Sequence, residues 1–256
     1  MTTLKPLLAH PERAPGEYQM PSLVDFLIET PLLSPIRLTA WSAITRILAR
    51  KDLAIVPSDT LAERADTYRL IRQVRQETSM VLLDSEAYSI CALVRRTAKV
   101  PGDIAEVGVY RGGSARLICE EKGPRGLHLF DTFEGLPQVT EWDAKFRQGG
   151  FASSFDQVQK YLKPFPEVRF HKGMFPETAQ HLGDLRFSFV HLDVDLYEST
   201  RSGLQWFYPR MSSGAVLVSH DYTIAAGVRK AIDEFMLDKP GCLIELSGSQ
   251  VAFVKL

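Results

Sequence analysis

The sequence predicts an α/β protein: a doubly wound, mostly parallel sheet of seven strands with an antiparallel C-terminal strand and an N-terminal helical arm. Three observations predict it. Beyond residue 103, short apolar runs alternate with amphipathic stretches, as strand–helix–strand units require. The apolar runs end in glycine-containing or acidic motifs, and doubly wound sheets bind their ligands at such strand ends. The tail CLIELSGSQVAFVKL reads as two strands turning at Ser247-Gly248, which puts one antiparallel strand into an otherwise parallel sheet. With 256 residues, 45% hydrophobic and 24% charged, the chain suits one large domain with an elaborated arm.

Taken in order, residues 1–36 contain Pro6, Pro11, Pro15, Pro21, Pro31 and Pro35 and read as an irregular arm. Residues 37–50, RLTAWSAITRILAR, place Leu38, Trp41, Ile44 and Leu48 at helical spacing. Helices are expected over about 59–76 and 84–98, with Asp84 as N-cap of the second and Pro101-Gly102 as its stop. The charges between Arg69 and Glu77 read as a solvated helix face. DIAEVGV, GLHLFD, VRFHKG, FSFVHLDV and GAVLVSHD read as buried strands. Helices are expected between them over 113–122, 154–163, 176–183 and 198–210, with AAGVRKAIDEFMLD after the fifth strand. His128, on an apolar strand, reads as a core histidine. The polar connection from Pro137 to Ser154 is long for a compact domain and reads as a lid, with Trp142 and Phe146 available to stack on a ligand. The arm, residues 1–70, is apolar in LVDFLIETPLL and is expected to cap a site or join a homo-oligomer, a dimer or higher; residues 71–256 form the main domain.

Composition excludes several function classes. A net charge of −1 leaves no basic footprint for nucleic acid. No apolar run is long enough to span a membrane, and the N-terminus lacks a signal-peptide core. Cys91, Cys119 and Cys242 are far apart, fit no metal spacing and read as buried thiols in a reducing, cytoplasmic setting.

Four constellations carry chemistry. In EVGVYRGGSAR, Glu106 to Arg116, a strand runs into a turn at Gly108 and Gly112-Gly113-Ser114 opens a helix. Bare glycine backbone and free helical N–H groups suit a carboxylate or phosphate, but the spacing is not the dinucleotide G-x-G-x-x-G. In LHLFDTFEGLP, Asp131 ends the next strand, where an acid commonly grips ribose hydroxyls. HLDVDLYEST and GAVLVSHDY end neighbouring strands, so Asp193, Asp195, His220 and Asp221 can converge. Asp193, His220 and Asp221 are donors suited to a divalent cation, which would explain like charges gathered in one place.

The stretches EVGVYRGGSA, FDTFEGLP, KGMFPET, HLDVDLYEST and VSHDY…GVRKAIDEF together resemble the macrocin O-methyltransferase family over about residues 70–256. The resemblance implies a Rossmann-like S-adenosylmethionine-dependent methyltransferase domain acting on a hydroxyl of a sugar moiety or other small-molecule natural product. It implies cofactor contacts from Thr78, Glu106, Gly108, Tyr110, Gly112, Gly113 and Ser114 at the methionine end. Asp131 would hold the ribose, Thr132, Phe133, Gly173, Met174 and Phe175 would lie near the adenine, and Asp193 would also adjoin the cofactor. Asp193, His220 and Asp221 would hold a divalent metal, magnesium or manganese, with Asp195 as general base. The chain departs from the family where HDY replaces the adjacent acids of DDY. Two alternatives therefore accompany this reading: a metal-independent methyltransferase with His220 as general base, and an NAD-type oxidoreductase on a similar sheet.

Overall fold

The computed structural model describes residues 62–256. The expected helix over 37–50 and most of the arm lie outside the described residues. Helix α1 (Ala62–Glu77) turns Ile71 and Val74 into the core and leaves Arg69 and Arg72 exposed, as a solvated face requires; at its end, however, Arg75 donates to Met80 O (3.0 Å) and Glu77 accepts from Tyr161 Oη (2.6 Å), so those two charges tie the helix to its neighbours. Helix α2 (Asp84–Arg96) starts differently from the expectation: Leu83 is the N-cap and Asp84 the first helical residue. Leucine has no side-chain acceptor, and the Leu83 N–H is met by Glu86 Oε2 at 2.6 Å instead. Asp84 accepts from Arg75 Nε at 2.7 Å.

The sheet contains β1 (Asp103–Val107), β2 (Leu127–Asp131), β3 (Val168–Lys172), β4 (Phe187–Leu192), β5 (Met211–Ser219), β6 (Ile244–Glu245) and β7 (Val251–Val254), in the order β3-β2-β1-β4-β5-β7-β6. The first five are parallel, and β7 runs antiparallel to both β5 and β6, as the tail predicted. Helices α3 (Gly113–Glu121), α4 (Phe155–Leu162), α5 (Tyr197–Phe207) and α6 (Ala226–Met236) complete the two outer layers. One face of the sheet packs Ile104, Leu129, Phe189 and Val218 with Ile90 of α2 and Leu117 of α3. The other packs Ala105, Val190 and Leu217 with Leu204 of α5 and Val228 of α6. Covered on both faces, β4 is buried at every residue, which is why it reads as a continuous apolar run. His128 is a core histidine, hydrogen-bonded between Asp103 and His171.

Further expectations need correction. VRFHKG is expected as a buried strand, but β3 stands at the edge of the sheet and none of its residues is fully buried. Residues 176–183 form a short 3₁₀ helix (Glu177–Leu182), bracketed by Pro176 and Gly183. The helix expected over 198–210 ends at Phe207, and Pro209, which lacks an N–H, stands in a separate 3₁₀ turn (Tyr208–Arg210). Cys242 is exposed, because it lies in the loop before β6; Cys91 and Cys119 are buried, and burial pushes both thiols up to about 12.

Strands β1 and β4 are neighbours, while the chain leaves them toward opposite edges. A crevice opens there beyond their carboxyl ends. Backbone hydrogen bonds carry the ladder past each strand end: Gly108 N–H to Phe130 O (3.0 Å), Asp193 N–H to Val107 O (2.9 Å) and His220 N–H to Leu192 O (3.0 Å). The four motif-bearing strand ends therefore face one another.

Candidate active site

The glycine turn is held by one carboxylate. Asp131 Oδ2 accepts the N–H groups of Val109 (2.7 Å) and Tyr110 (2.8 Å), and its Oδ1 accepts that of Phe133 (2.7 Å). An ionised carboxylate has about four acceptor sites, so Asp131 spends three on the backbone while still lining the cavity. Gly108 adopts φ 89°, and a Cβ there would overlap the carbonyl oxygen of Asp193. Gly113 begins α3 directly against Met80.

The acidic motifs meet as the strand order demands. His220 Nδ1 lies 3.2 Å from Asp193 Oδ1 and 3.0 Å from Asp221 Oδ1, while Nε2 lies 3.2 Å from Glu86 Oε2. One ligand atom from each of Asp193, His220 and Asp221 falls within 4.8 Å of the others. Burial disfavours a charged imidazole, but the charge of Asp193 and the hydrogen bonds to Asp193, Asp221 and Glu86 outweigh it, and the ring is held well above the usual histidine range. Asp193 moves the other way: burial opposes its charge, and His220 more than compensates. Asp195 is pushed up to about 9 by burial, by the charge of Asp193 and by its contact with Asp221. Asp195 and Asp221 both take left-handed backbone conformations (φ 62° and 63°), which aspartate tolerates better than most residues.

These groups line one cavity of about 530 Å³. Of the residues singled out in the sequence, Gly108, Tyr110, Gly113, Ser114, Asp131, Thr132, Gly173, Met174, Phe175, Asp193, Asp195, His220 and Asp221 reach its wall. Thr78, Glu106, Gly112 and Phe133 are not among the lining residues. Glu106 is fully buried beneath the turn, where Oε1 faces His191 Nδ1 at 2.9 Å and burial raises its pKa. Thr78 Oγ1 donates to Arg111 O at 3.0 Å, tying the end of α1 to the glycine turn, and its neighbour Ser79 lines the cavity instead. Gly112 is the left-handed N-cap of α3, and Phe133 packs edge-on to Phe155.

The 137–154 connection covers part of this wall with Phe146 and Phe151. Leu136 N–H bonds to Gly150 O (2.8 Å), Asp143 Oδ1 accepts the Tyr197 N–H (2.9 Å) and Lys145 Nζ reaches Ile224 O (2.7 Å). Trp142 does not line the cavity; Lys230 Nζ sits 4.7 Å above its ring. Sequence reasoning missed Glu86 and Ser249, both on the wall. Glu86 could be read only as a helix-start acid, and Ser249 only as a turn residue.

The profile of the Macrocin-O-methyltransferase (TylF) family matches residues 87–240. The chain belongs to this family. Among family relatives, it is 33% identical over 153 residues to the 8-demethyl-8-(2,3-dimethoxy-alpha-L-rhamnosyl)-tetracenomycin-C 4'-O-methyltransferase of Streptomyces olivaceus, a match covering 53% of this chain and 58% of the relative. It is 31% identical over 155 residues to the mycinamicin III 3''-O-methyltransferase of Micromonospora griseorubida, covering 53% and 61%. The chain thus spans about three-fifths of the length of the curated relatives it matches. The structure of the O-methyltransferase NovP superposes with a TM-score of 0.61 at 28% identity, covering 67% of this chain and 80% of NovP. CalS11, a calicheamicin methyltransferase, shares the fold at 20% identity with a TM-score of 0.59, covering 76% and 93%. Family membership replaces the oxidoreductase alternative. No helix among the described residues is long and apolar enough to cross a membrane.

Proposed function

We propose that this chain is an S-adenosylmethionine-dependent O-methyltransferase that methylates a hydroxyl on a sugar moiety or other natural product, assisted by a divalent cation at Asp193, His220 and Asp221. The observation that carries the reading is the opening of the glycine turn and the Asp–His–Asp cluster into one cavity.

The donor set fits a cation. Adjacent ligands of an octahedral ion at about 2.1 Å lie about 3 Å apart, and His220 Nδ1 stands at 3.2 and 3.0 Å from its two carboxylate oxygens. The imidazole favours manganese, cobalt or nickel over magnesium, which prefers oxygen. When bound, S-adenosylmethionine supplies an electrophilic methyl group, and a divalent cation lowers the pKa of a hydroxyl oxygen it touches.

This chain's own residues do the rest. The N–H groups freed at the start of α3 and the glycine backbone receive the methionine end, and Asp131 keeps the turn rigid while offering its remaining acceptor site to the ribose. Phe146 and Phe151 exclude water from the acceptor side. Asp195, beside Asp193, takes the hydroxyl proton. A metal-independent reading with His220 as base has the geometry against it. Both ring nitrogens face carboxylates, Nε2 toward Glu86 and Nδ1 toward Asp193 and Asp221, so neither is turned to a free hydroxyl.

Calorimetric titration of S-adenosylmethionine and of Mn²⁺ into chelator-stripped protein tests this. Both are expected to bind, with Asp193→Ala losing the cation and retaining most cofactor affinity. Absence of cofactor binding would overturn the function; cofactor binding with no cation would remove the metal from it.

A further inference from the structure

Glu86 is 2% exposed and the proposed chemistry leaves it without a task. It has four donors. Oε2 takes the Leu83 N–H (2.6 Å) and faces His220 Nε2 (3.2 Å); Oε1 takes the Ser249 N–H (2.7 Å) and Oγ–H (2.9 Å). The fold makes room for it, since a Cβ on Gly248 would overlap Oε1. Three of these contacts are what a structural brace needs: they close the start of α2 and pin the β6–β7 turn. The fourth is different. An imidazole can present either nitrogen, and the one that ligates is set by the hydrogen bond the other makes. With Nε2–H given to a carboxylate, Nδ1 is the nitrogen facing Asp193 and Asp221.

We propose that Glu86 is a positioning residue that commits His220 to cation binding: it accepts Nε2–H, fixes the ring, and presents Nδ1 between Asp193 and Asp221. This rests on the metal-assisted reading above. The pairing also explains why histidine can stand here at all. A carboxylate at position 220 would have no N–H to give, and Glu86 would face it as an uncompensated buried like charge. Glu86 and His220 are therefore an interdependent pair, and together they bias the site toward ions that accept imidazole.

The test is Mn²⁺ binding to the full chain, read from the free-ion electron paramagnetic resonance signal, in the parent, E86Q, H220D and E86Q/H220D, with a metal-free melting curve for each. E86Q is expected to weaken Mn²⁺ by 10- to 100-fold, the usual effect of losing such an outer partner. In the H220D background, the same change is expected to leave affinity unchanged or improve it, because an amide can donate to the new carboxylate. A brace alone would cost the same factor in both backgrounds, and that result, or parent-like binding by E86Q, would overturn the inference. Should E86Q not fold, long-range ¹H–¹⁵N spectra of the Zn²⁺-loaded parent decide. A proton on Nε2 of His220 with the metal on Nδ1 supports the proposal, and the reverse overturns it. A parent that binds no Mn²⁺ would overturn the metal-assisted reading and this inference together, whereas Mn²⁺ binding without the coupling overturns this inference alone.

Discussion

At Asp195 two demands oppose each other. The base that we propose it to be must be ionised, yet burial and the neighbouring carboxylates hold this group at about 9. Positive charge placed among Asp193, His220 and Asp221 offsets that repulsion and brings the carboxyl back toward its ordinary range. The sign follows directly. A carboxyl with a raised pKa is protonated below about 9 and becomes a base as pH rises, so turnover should climb with pH. Added divalent cation should move the midpoint downward, which pH–rate profiles at two cation concentrations would show. Asp195→Asn keeps a side chain that tolerates φ 62° but cannot take a proton. It should cut kcat by about 10²–10⁴-fold with cofactor affinity little changed, and kcat within a few-fold of the parent would remove Asp195 from the role. Both acids stand out in the chain because D-x-D at the end of an apolar run is costly unless something holds it. That Asp131 would spend three acceptor sites on backbone N–H groups does not show in the chain, because those N–H groups are brought to it by the fold.

The elements were legible where burial is two-sided. β1, β2 and β4 lie inside the sheet and read as apolar runs; β6, two exposed residues long, was recognisable only through its hairpin partner. Helix ends were less legible, since the start of α2 is satisfied by Glu86 inside the first turn and not by the residue before it. Where β1 stops, the register leaves no space for a side chain: Gly108 sits against the Asp193 carbonyl at φ 89°. Gly108→Ala must shift either the glycine turn or the strand end that carries Asp193. It is expected to cost on the order of 3 kcal/mol, a backbone strain plus a clash, and to abolish S-adenosylmethionine binding. A melting temperature and cofactor affinity equal to the parent's would contradict the close approach of β1 and β4.

For the whole molecule, Glu86 joins parts far apart in the chain: the α2 start, the end of β5 and the β6–β7 turn. Burial alone would raise its carboxyl, but the hydrogen bond to His220 and the N–H groups of Ser249 and Leu83 lower it from 4.5 to about 2. A depressed carboxyl contributes stability above its unfolded value and loses it as pH falls through the folded one. Melting temperature should therefore drop between pH 4.5 and about 2, more steeply in the parent than in Glu86→Gln. Parallel curves would show that Glu86 does not couple protonation to the fold.

The sheet, the antiparallel strand and the acids at the strand ends can be read from the chain alone, because each is written in a local pattern: an apolar run, a turn, a charge where burial is expected. Which carboxylate faces which nitrogen of His220, that Glu106 does not line the cavity, and that Glu86 reaches it from α2 emerge only once the chain is folded. The physical reason is that a hydrogen-bond partner is chosen by distance in space. Glu86 and His220 lie in separate motifs, and they meet only where α2 docks over the end of β5.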